Sequence, residues 1–211
     1  MSTTSLSHEA GAAELIRLSR AEPLVVAARA FVFVRHGETD GNRQRVYQVA
    51  EQPLNAEGLA QARRAADALK PHPAQRIFAS TMPRAWRTAE IIATPHGLPL
   101  IPMDHVRERW FGSLVGSAIT AIDWGYDPPG GETLVDFVAR TRRGFAEALT
   151  HDDGTIVVAH GGNLRVLANG LGLTLPAELG ANASPIYFER ADDGWSATPI
   201  GTVNALIGVA S

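Results

Sequence analysis

Three short stretches rich in β-branched and aromatic residues each stop abruptly in polar ones. Phe31–Val34 runs into Arg35-His36-Gly37-Glu38-Thr39, Arg76–Ala79 into Ser80-Thr81, and Thr155–Ala159 into His160-Gly161-Gly162. Continuous apolar runs of this length predict strands buried on both faces. Helical spacing lies between and after them. Asn55–Leu69 carries Leu59, Ala62, Ala66 and Leu69 on one face and is stopped by Pro71 and Pro73. Pro83 opens a helix to about Ala93, where its missing N–H costs little. Thr133–Leu149 is the clearest helix, and a shorter one follows at about Asn163–Asn169. Leu98–Pro102 is expected as a short edge strand and 103–131 as a loop with a few helical turns. Ile186–Arg190 and Ala197–Gly208 are expected as late strands, a hairpin across Asp192-Asp193-Gly194. Ahead of all this, Ala12, Leu15, Ile16 and Leu18 suit a short amphipathic helix over Glu9–Arg20, read as a surface helix or frayed tail. Strands alternating with helices predict one α/β domain with a mainly parallel sheet.

Composition narrows the classes. The 211 residues are 45% hydrophobic and 19% charged, an ordinary globular balance that excludes disordered, collagen-like and coiled-coil chains. Nineteen basic against 22 acidic residues give a net charge of −3, which argues against a general nucleic-acid-binding surface. Lys70 is the only lysine; the other 18 basic residues are arginine, whose planar fork suits phosphate and carboxylate, although a GC-rich genome produces the same bias. Without cysteine there is no disulfide, zinc–thiolate site or Cys nucleophile, and a cytoplasmic location fits. The longest apolar stretch, Leu24–Val34, is too short and interrupted to span a bilayer, and the N-terminus does not read as a secretory signal.

Strand C-termini in an open α/β sheet meet at one edge. Two histidines and several arginines are therefore expected together. A glycine after each histidine allows close approach of a ligand to the backbone. A helix following His160 aims its N–H groups at an anion. No His-x-His or HExxH pattern supports a metal site, no Gly-x-Ser-x-Gly elbow supports a serine hydrolase, and neither Walker A nor GxGxxG is present. Phosphate held by guanidinium groups and attacked by an imidazole is the best chemical reading, with a metal site as the minor alternative.

Arg35-His36-Gly37-Glu38-Thr39 with Asn42 resembles the RHGE[ST]xxN signature of the histidine phosphatase superfamily, the phosphoglycerate-mutase-like proteins. The family's other segments have counterparts in order: Pro53-Leu54-Asn55 with Gly58 and Gln61-Ala62; Ser80 to Ala85 with Arg84, then Thr88-Ala89; Arg107-Glu108 with Phe111-Gly112 and Gly116; Gly130-Gly131-Glu132-Thr133; and His160-Gly161-Gly162. The match spans about residues 31–170. The resemblance implies a three-layer α/β/α sandwich with a mainly parallel central sheet. Residues 1–30 would be an N-terminal extension and 31–211 a single catalytic domain.

The resemblance also implies roles. His36 would be the nucleophile. Arg35, Arg84 and His160 would hold the phosphate, with Asn42 assisting. Glu108 would be proton donor to the leaving oxygen and then base for water, with Glu132 and Glu38 as nearby competitors for that role. Gly37, Thr39, Gly161 and Arg109 are further candidates for substrate or phosphate contact. His8, His72, His96, His105 and His151 are expected at the surface. Trp110, Phe111, Trp124 and Tyr126 suit either a substrate wall or a small core under the loop. No metal or other cofactor is implied. The expected partner is a small phosphorylated metabolite, with no nucleic acid or membrane involved and a homodimer allowed.

Two departures matter. Tyr47-Gln48 stands where the family's mutases carry Ser-Gly, and the stretch between Gly116 and Pro128 holds no Lys or Arg to grip a phosphoglycerate carboxylate. Hydrolysis of phosphomonoesters, as by a histidine acid phosphatase, is therefore favoured over phosphoglycerate mutase activity. A non-catalytic phosphate-binding protein is the third reading.

Overall fold

The computed structural model describes residues 3–120, 122–150 and 154–201. Six strands form one sheet: β1 (Ala30–Arg35), β2 (Arg76–Ala79), β3 (Leu100–Pro102), β4 (Thr155–Ala159), β5 (Pro185–Ala191) and β6 (Gly194–Pro199). Their order is β3-β2-β4-β1-β5-β6, and only β5 runs against the others.

Period-two alternation divides the strand side chains between two cores. Phe31, Phe33, Phe78, Val157 and Ala159 enter one, against α5 (Leu134–Ala148) and α6 (Gly161–Gly170). Val32, Val34, Ile77, Ala79, Ile156 and Val158 enter the other, against α3 (Ala56–Leu69) and α4 (Pro83–Ala93). The result is an α/β/α sandwich. The three strands that end in chemistry-bearing residues are neighbours, with β4 in the middle and nearly continuous burial on both faces.

Helix limits follow local signals. Asn55 caps α3 by accepting the Gly58 N–H at 2.8 Å, Thr133 caps α5 through the Asp136 N–H, and Pro83 opens α4. A five-residue helix α2 (Asp40–Gln44), not expected from the pattern, is nucleated by Thr39 and Asn42 in a reciprocal capping box.

Three expectations need correction. The edge strand β3 is only Leu100–Pro102, because prolines bracket it. The last strand, β6, starts at Gly194 and ends at Pro199, and the expected extension to Gly208 lies largely outside the described residues. The N-terminal helix α1 (Thr3–Arg20) is no loose tail: Leu15 is 2% exposed and packs with Trp124, Leu134, Phe137 and Val166.

One backbone crossing fixes the turn after β1 on α3. A Cβ at Gly37 would collide with the Gly58 carbonyl oxygen, and a Cβ at Gly58 with the Glu38 carbonyl oxygen. Neither obstacle is a flexible side-chain end. Gly58→Ala should therefore lower stability by about 3 kcal/mol, the upper end for overpacking, read as a reduced urea midpoint with unchanged m-value.

Candidate active site

Parallel register brings the motif residues together. Arg35 pairs with Ala159; the His36 N–H extends that ladder to Ala159 O at 2.9 Å, and the Ser80 N–H reaches Val158 O at 3.0 Å from the other side. His160, next along β4, is thereby set between His36 and Ser80. The two imidazole rings meet edge to face with centroids 5.0 Å apart, and Ser80 Oγ lies 2.8 Å from His160 Nε2.

His36 is 3% exposed, and its Nδ1 lies 2.7 Å from the Gly37 carbonyl. A carbonyl only accepts, so Nδ1 carries the proton and Nε2 keeps its lone pair. Burial holds the His36 pKa well below its usual value, and the charges of Arg84 and Arg35 push the same way. His160 is lowered by burial first, then by Arg84, His36 and Arg35. Both rings are therefore neutral near pH 7. Ser80 Oγ also accepts the Met82 N–H at 3.3 Å. We assign its hydroxyl proton to His160 Nε2, which puts the ring proton on Nδ1, a buried atom with no protein partner.

Two guanidinium groups frame the histidines. Arg84 donates through Nη1 to the carbonyls of Val49 and Ala50 at 3.3 and 3.2 Å. Burial, aided by Arg35 and Arg107 and opposed by Glu108, lowers its pKa to about 10, so it stays charged at neutral pH. Arg35 donates from Nη1 to the Gly180 carbonyl at 2.8 Å. The Nε atoms of both arginines are buried without a protein acceptor, as an anion-binding cluster requires. Thr88 ties β1 to α4 by accepting the Gly37 N–H and donating to Arg84 O.

Among the three carboxylates considered, only Glu108 faces this cluster. Its Oε2 accepts the Gly162 N–H at 3.1 Å and its Oε1 the Arg109 N–H at 3.1 Å, while its charge favours the charged forms of both Arg35 and Arg84. Glu132 is taken by Arg140, with two contacts of 2.7 Å, and Glu38 accepts from Asn55 Nδ2 at 2.8 Å. The Asn42 side-chain oxygen accepts from the Thr39 N–H and from Asn182 Nδ2, so its amide NH2 is the part left to meet a ligand. Gly161 opens α6, and its missing Cβ would stand 3.6 Å from Arg35 Nε, ordinary contact, so space rather than clash marks this glycine.

Three expected phosphate contacts do not hold. Arg109 is 2% exposed and spends its guanidinium on Glu132 O, Trp124 O, Tyr126 O and Asp127 Oδ1, at 2.7 to 3.0 Å. It pins the loop before α5 from inside. The Thr39 hydroxyl is buried and committed to Asn42 and Gln48. The Gly37 N–H belongs to Thr88, and its close approach is to Gly58 rather than to a ligand. Trp124 and Phe111 join the small core under the loop, whereas Trp110 and Tyr126 are exposed. His72, His96 and His105 are half-buried away from the cluster; the His8 side chain and His151 lie outside the described residues.

Ser80, Asn163 and Asn182 were not given site roles by sequence reasoning. Asn163 accepts the His160 N–H and donates to Arg107 O and Thr141 Oγ1, linking the second histidine to the Glu108 loop. Its place three residues after His160 repeats the Thr39–Asn42 spacing, a capping signal open to a reader of the sequence. Asn182, which donates to His36 O at 2.8 Å, comes from a distant loop and has no such signal.

Two outcomes follow. A Cβ at Gly162 would collide with Glu108 Oε1 and stand 3.0 Å from the rings of Phe137 and Trp124. Gly162→Ala should displace the carboxylate and cut turnover by about 10²-fold, the low end for losing a proton-transfer group, with a smaller effect on binding of inorganic phosphate by calorimetry. Because both buried imidazoles titrate below their unfolded value, the unfolded chain takes up protons first as pH falls. Urea midpoints should therefore fall below about pH 6.5, the unfolded histidine pKa, and be flat above it; a midpoint rising on acidification would contradict the neutral assignment.

A family model described as Histidine phosphatase superfamily (branch 1) matches residues 31–201. The uncharacterized phosphatase PhoE of Bacillus subtilis (strain 168) is 35% identical over 144 residues, 65% of this chain and 75% of its own. The 2,3-bisphosphoglycerate-dependent phosphoglycerate mutase of Methylobacterium sp. (strain 4-46) is 34% identical over 196 residues, 78% of this chain and 93% of the mutase. A solved mycobacterial glucosyl-3-phosphoglycerate phosphatase in complex with VO3 superposes with a TM-score of 0.64 at 28% identity, covering 82% of this chain and 97% of its own. With both phosphatases and mutases among its relatives, the chain belongs to the histidine phosphatase superfamily (branch 1).

Proposed function

We propose that the protein is a phosphomonoesterase that works through a phosphohistidine on His36 and needs no metal. The observation that carries this reading is the free Nε2 of a buried, neutral His36, oriented by the Gly37 carbonyl, with Glu108 as the one facing carboxylate among those considered.

In the first half-reaction His36 Nε2 attacks phosphorus in line, and the ester P–O bond breaks. The Glu108 carboxylate takes up a proton from solvent as the phosphate dianion binds beside it and passes that proton to the departing oxygen. The proton stays on Nδ1, donated to the Gly37 carbonyl, so the ring becomes cationic as the N–P bond forms. Arg35, Arg84, the Nδ1–H of His160 and the first turn of α6 meet the charge on the equatorial oxygens. In the second half-reaction Glu108, now a carboxylate, takes a proton from water as its oxygen attacks phosphorus. The N–P bond breaks, and His36 returns to its neutral form. Positive charge that a metal would supply elsewhere comes here from two guanidinium groups.

Hydrolysis is favoured over isomerisation by charge. The segment from Gly112 to Gly131 contains no Lys or Arg but does contain Asp123 and Asp127. Arg109 is turned inward and paired with Asp127, which leaves Arg107 as the exposed cation beside Glu108. A phosphoglycerate carboxylate would meet like charge in the Gly112–Gly131 segment, and a bisphosphate would be poorly retained through a half-turn.

The test is phosphate release from a panel of phosphomonoesters, 3-phosphoglycerate included, in EDTA. Wild type should release phosphate, and His36→Ala should lose about 10⁴-fold or more while keeping its circular dichroism and melting temperature. Mutase turnover with added bisphosphoglycerate and no net phosphate release would overturn the hydrolase reading. Glu108→Gln should slow alkyl esters by about 10²- to 10⁴-fold and aryl esters much less, since an aryl phosphate leaves with little acid help. Equal losses on both would remove Glu108 from the acid role.

A further inference from the structure

A groove of about 440 Å³ opens beside Glu108. Its volume falls in the range of small-molecule sites. Three of its wall residues tie it to the phosphate cluster. Glu108 itself is one. Met82 is the second: its sulfur accepts from Arg84 Nη2 at 3.5 Å and from the Glu108 N–H at 3.3 Å. Arg107 is the third, close enough for its charge to lower the Arg84 pKa. An ester oxygen protonated by Glu108 therefore has its alcohol beside this groove.

Most of the charge in the wall is already spent. Arg140 and Glu132 close on each other through two contacts of 2.7 Å. Arg107 makes no side-chain hydrogen bond among the described residues, and its ion pair is a 3.9 Å approach to Asp104. Asp104 is exposed and accepts the Thr81 hydroxyl on Oδ1, which leaves Oδ2 open. Trp110 is 39% exposed, and its indole N–H donates to Gly130 O at 2.9 Å, so the ring is held in place with part of its surface bare. What remains for a ligand is a donor fork, a carboxylate oxygen and an indole surface.

These three features select among alcohols. A second anion on the substrate would meet Asp104, Glu108 and Glu132 as well as the two arginines, so no net charge draws it in. A hydrocarbon would cover Arg107 and Asp104 without replacing the water on them, which is unfavourable. A saturated ring with hydroxyls round its edge matches all three. Its hydroxyls donate to Asp104 and accept from Arg107, while its C–H face lies on the Trp110 indole.

We propose that the substrate is the phosphate monoester of a cyclic polyol, a sugar or a cyclitol, and that Trp110 and Arg107 are its specificity residues. This rests on the phosphomonoesterase reading for the chemistry but not for the binding, so the two are tested separately. Binding is measured by calorimetry on the full chain carrying His36→Ala, which leaves the esters intact. The probes are glucose 6-phosphate, inositol 1-phosphate, propyl phosphate, benzyl phosphate and 3-phosphoglycerate. At least one of the two polyol esters should bind about tenfold tighter than the other three, as two added hydrogen bonds allow. Adding Trp110→Ala should cost that ester about five- to tenfold, the upper end for an aromatic contact, and propyl phosphate less than about twofold. Trp110→Tyr should keep most of the affinity. Arg107→Gln retains an amide donor and should cost the polyol ester only about threefold, since a hydroxyl rather than a charge is being read. In turnover by the wild type, the same order should return in KM. Tightest binding of benzyl phosphate, or of 3-phosphoglycerate with its affinity lost in Arg107→Gln, would overturn the proposal, as would Trp110→Ala weakening all five esters equally. Polyol-selective binding with no phosphate release by the wild type would leave the groove assignment standing and sink the phosphomonoesterase reading. Release from every ester at equal KM would do the reverse.

Discussion

Parallel pairing of β4 between β1 and β2 is the constraint on which the rest of this molecule depends. The ladder that joins Arg35 to Ala159 also fixes how far His36 and Ser80 extend past the sheet edge, and hence where His160 emerges between them. A shift of β1 by one residue against β4 would turn its side chains to the opposite core. Phe31 and Phe33 would then meet α3 and α4, and Val32 and Val34 would meet α5 and α6. Core packing and site geometry are thus enforced by one register, and neither can change alone.

Around that edge the distribution of charge is uneven by construction. Burial, with two guanidinium groups pushing the same way, keeps both histidines neutral, and a nucleophilic imidazole must be neutral. Desolvating two cations side by side is unfavourable unless carbonyls or an opposite charge compensate. Here Val49, Ala50 and Gly180 supply carbonyls, and Glu108 supplies the opposite charge. Three other carboxylates are diverted, Glu132 to Arg140, Asp127 to Arg109 and Glu38 to Asn55, while Glu51 adds a weaker opposite charge at Arg84. Each diversion keeps the positive field at the site from being cancelled.

The loop over the site is held from beneath and from the side. Arg109 draws the backbone at Trp124, Tyr126 and Glu132 into one knot, and the Asp127 carboxylate that it binds also accepts the Leu134 N–H at the start of α5. Tyr47 packs on Phe111 and exchanges backbone hydrogen bonds with Gly116 and Ser117. From the other side α1 presses on residues 123–125 through Gly11. Position of the loop therefore depends on buried hydrogen bonds and close backbone contact.

Sheet strands, the main helices and the cluster of His36, His160, Arg35 and Arg84 were legible in the chain, because a buried strand and an amphipathic helix are local patterns and strand ends in an α/β sheet converge by topology. Short-range signals were legible in part: Thr39 and Asn42 cap a helix that the apolar pattern did not predict, since capping is polar chemistry. What tertiary structure alone decided was the allocation of each polar group. Whether Arg109 reaches a ligand or a carbonyl, whether Glu108 or Glu132 faces the phosphate cluster, and whether Gly37 spares a clash with substrate or with Gly58 all depend on groups far away in sequence. A hydrogen bond is directional and shorter than about 3.5 Å, so its partner is set by where distant segments finally pack. The seat of α1 on Trp124, Leu134, Phe137 and Val166 has the same origin: an amphipathic stripe announces that a helix will be buried, and only the folded chain says against what.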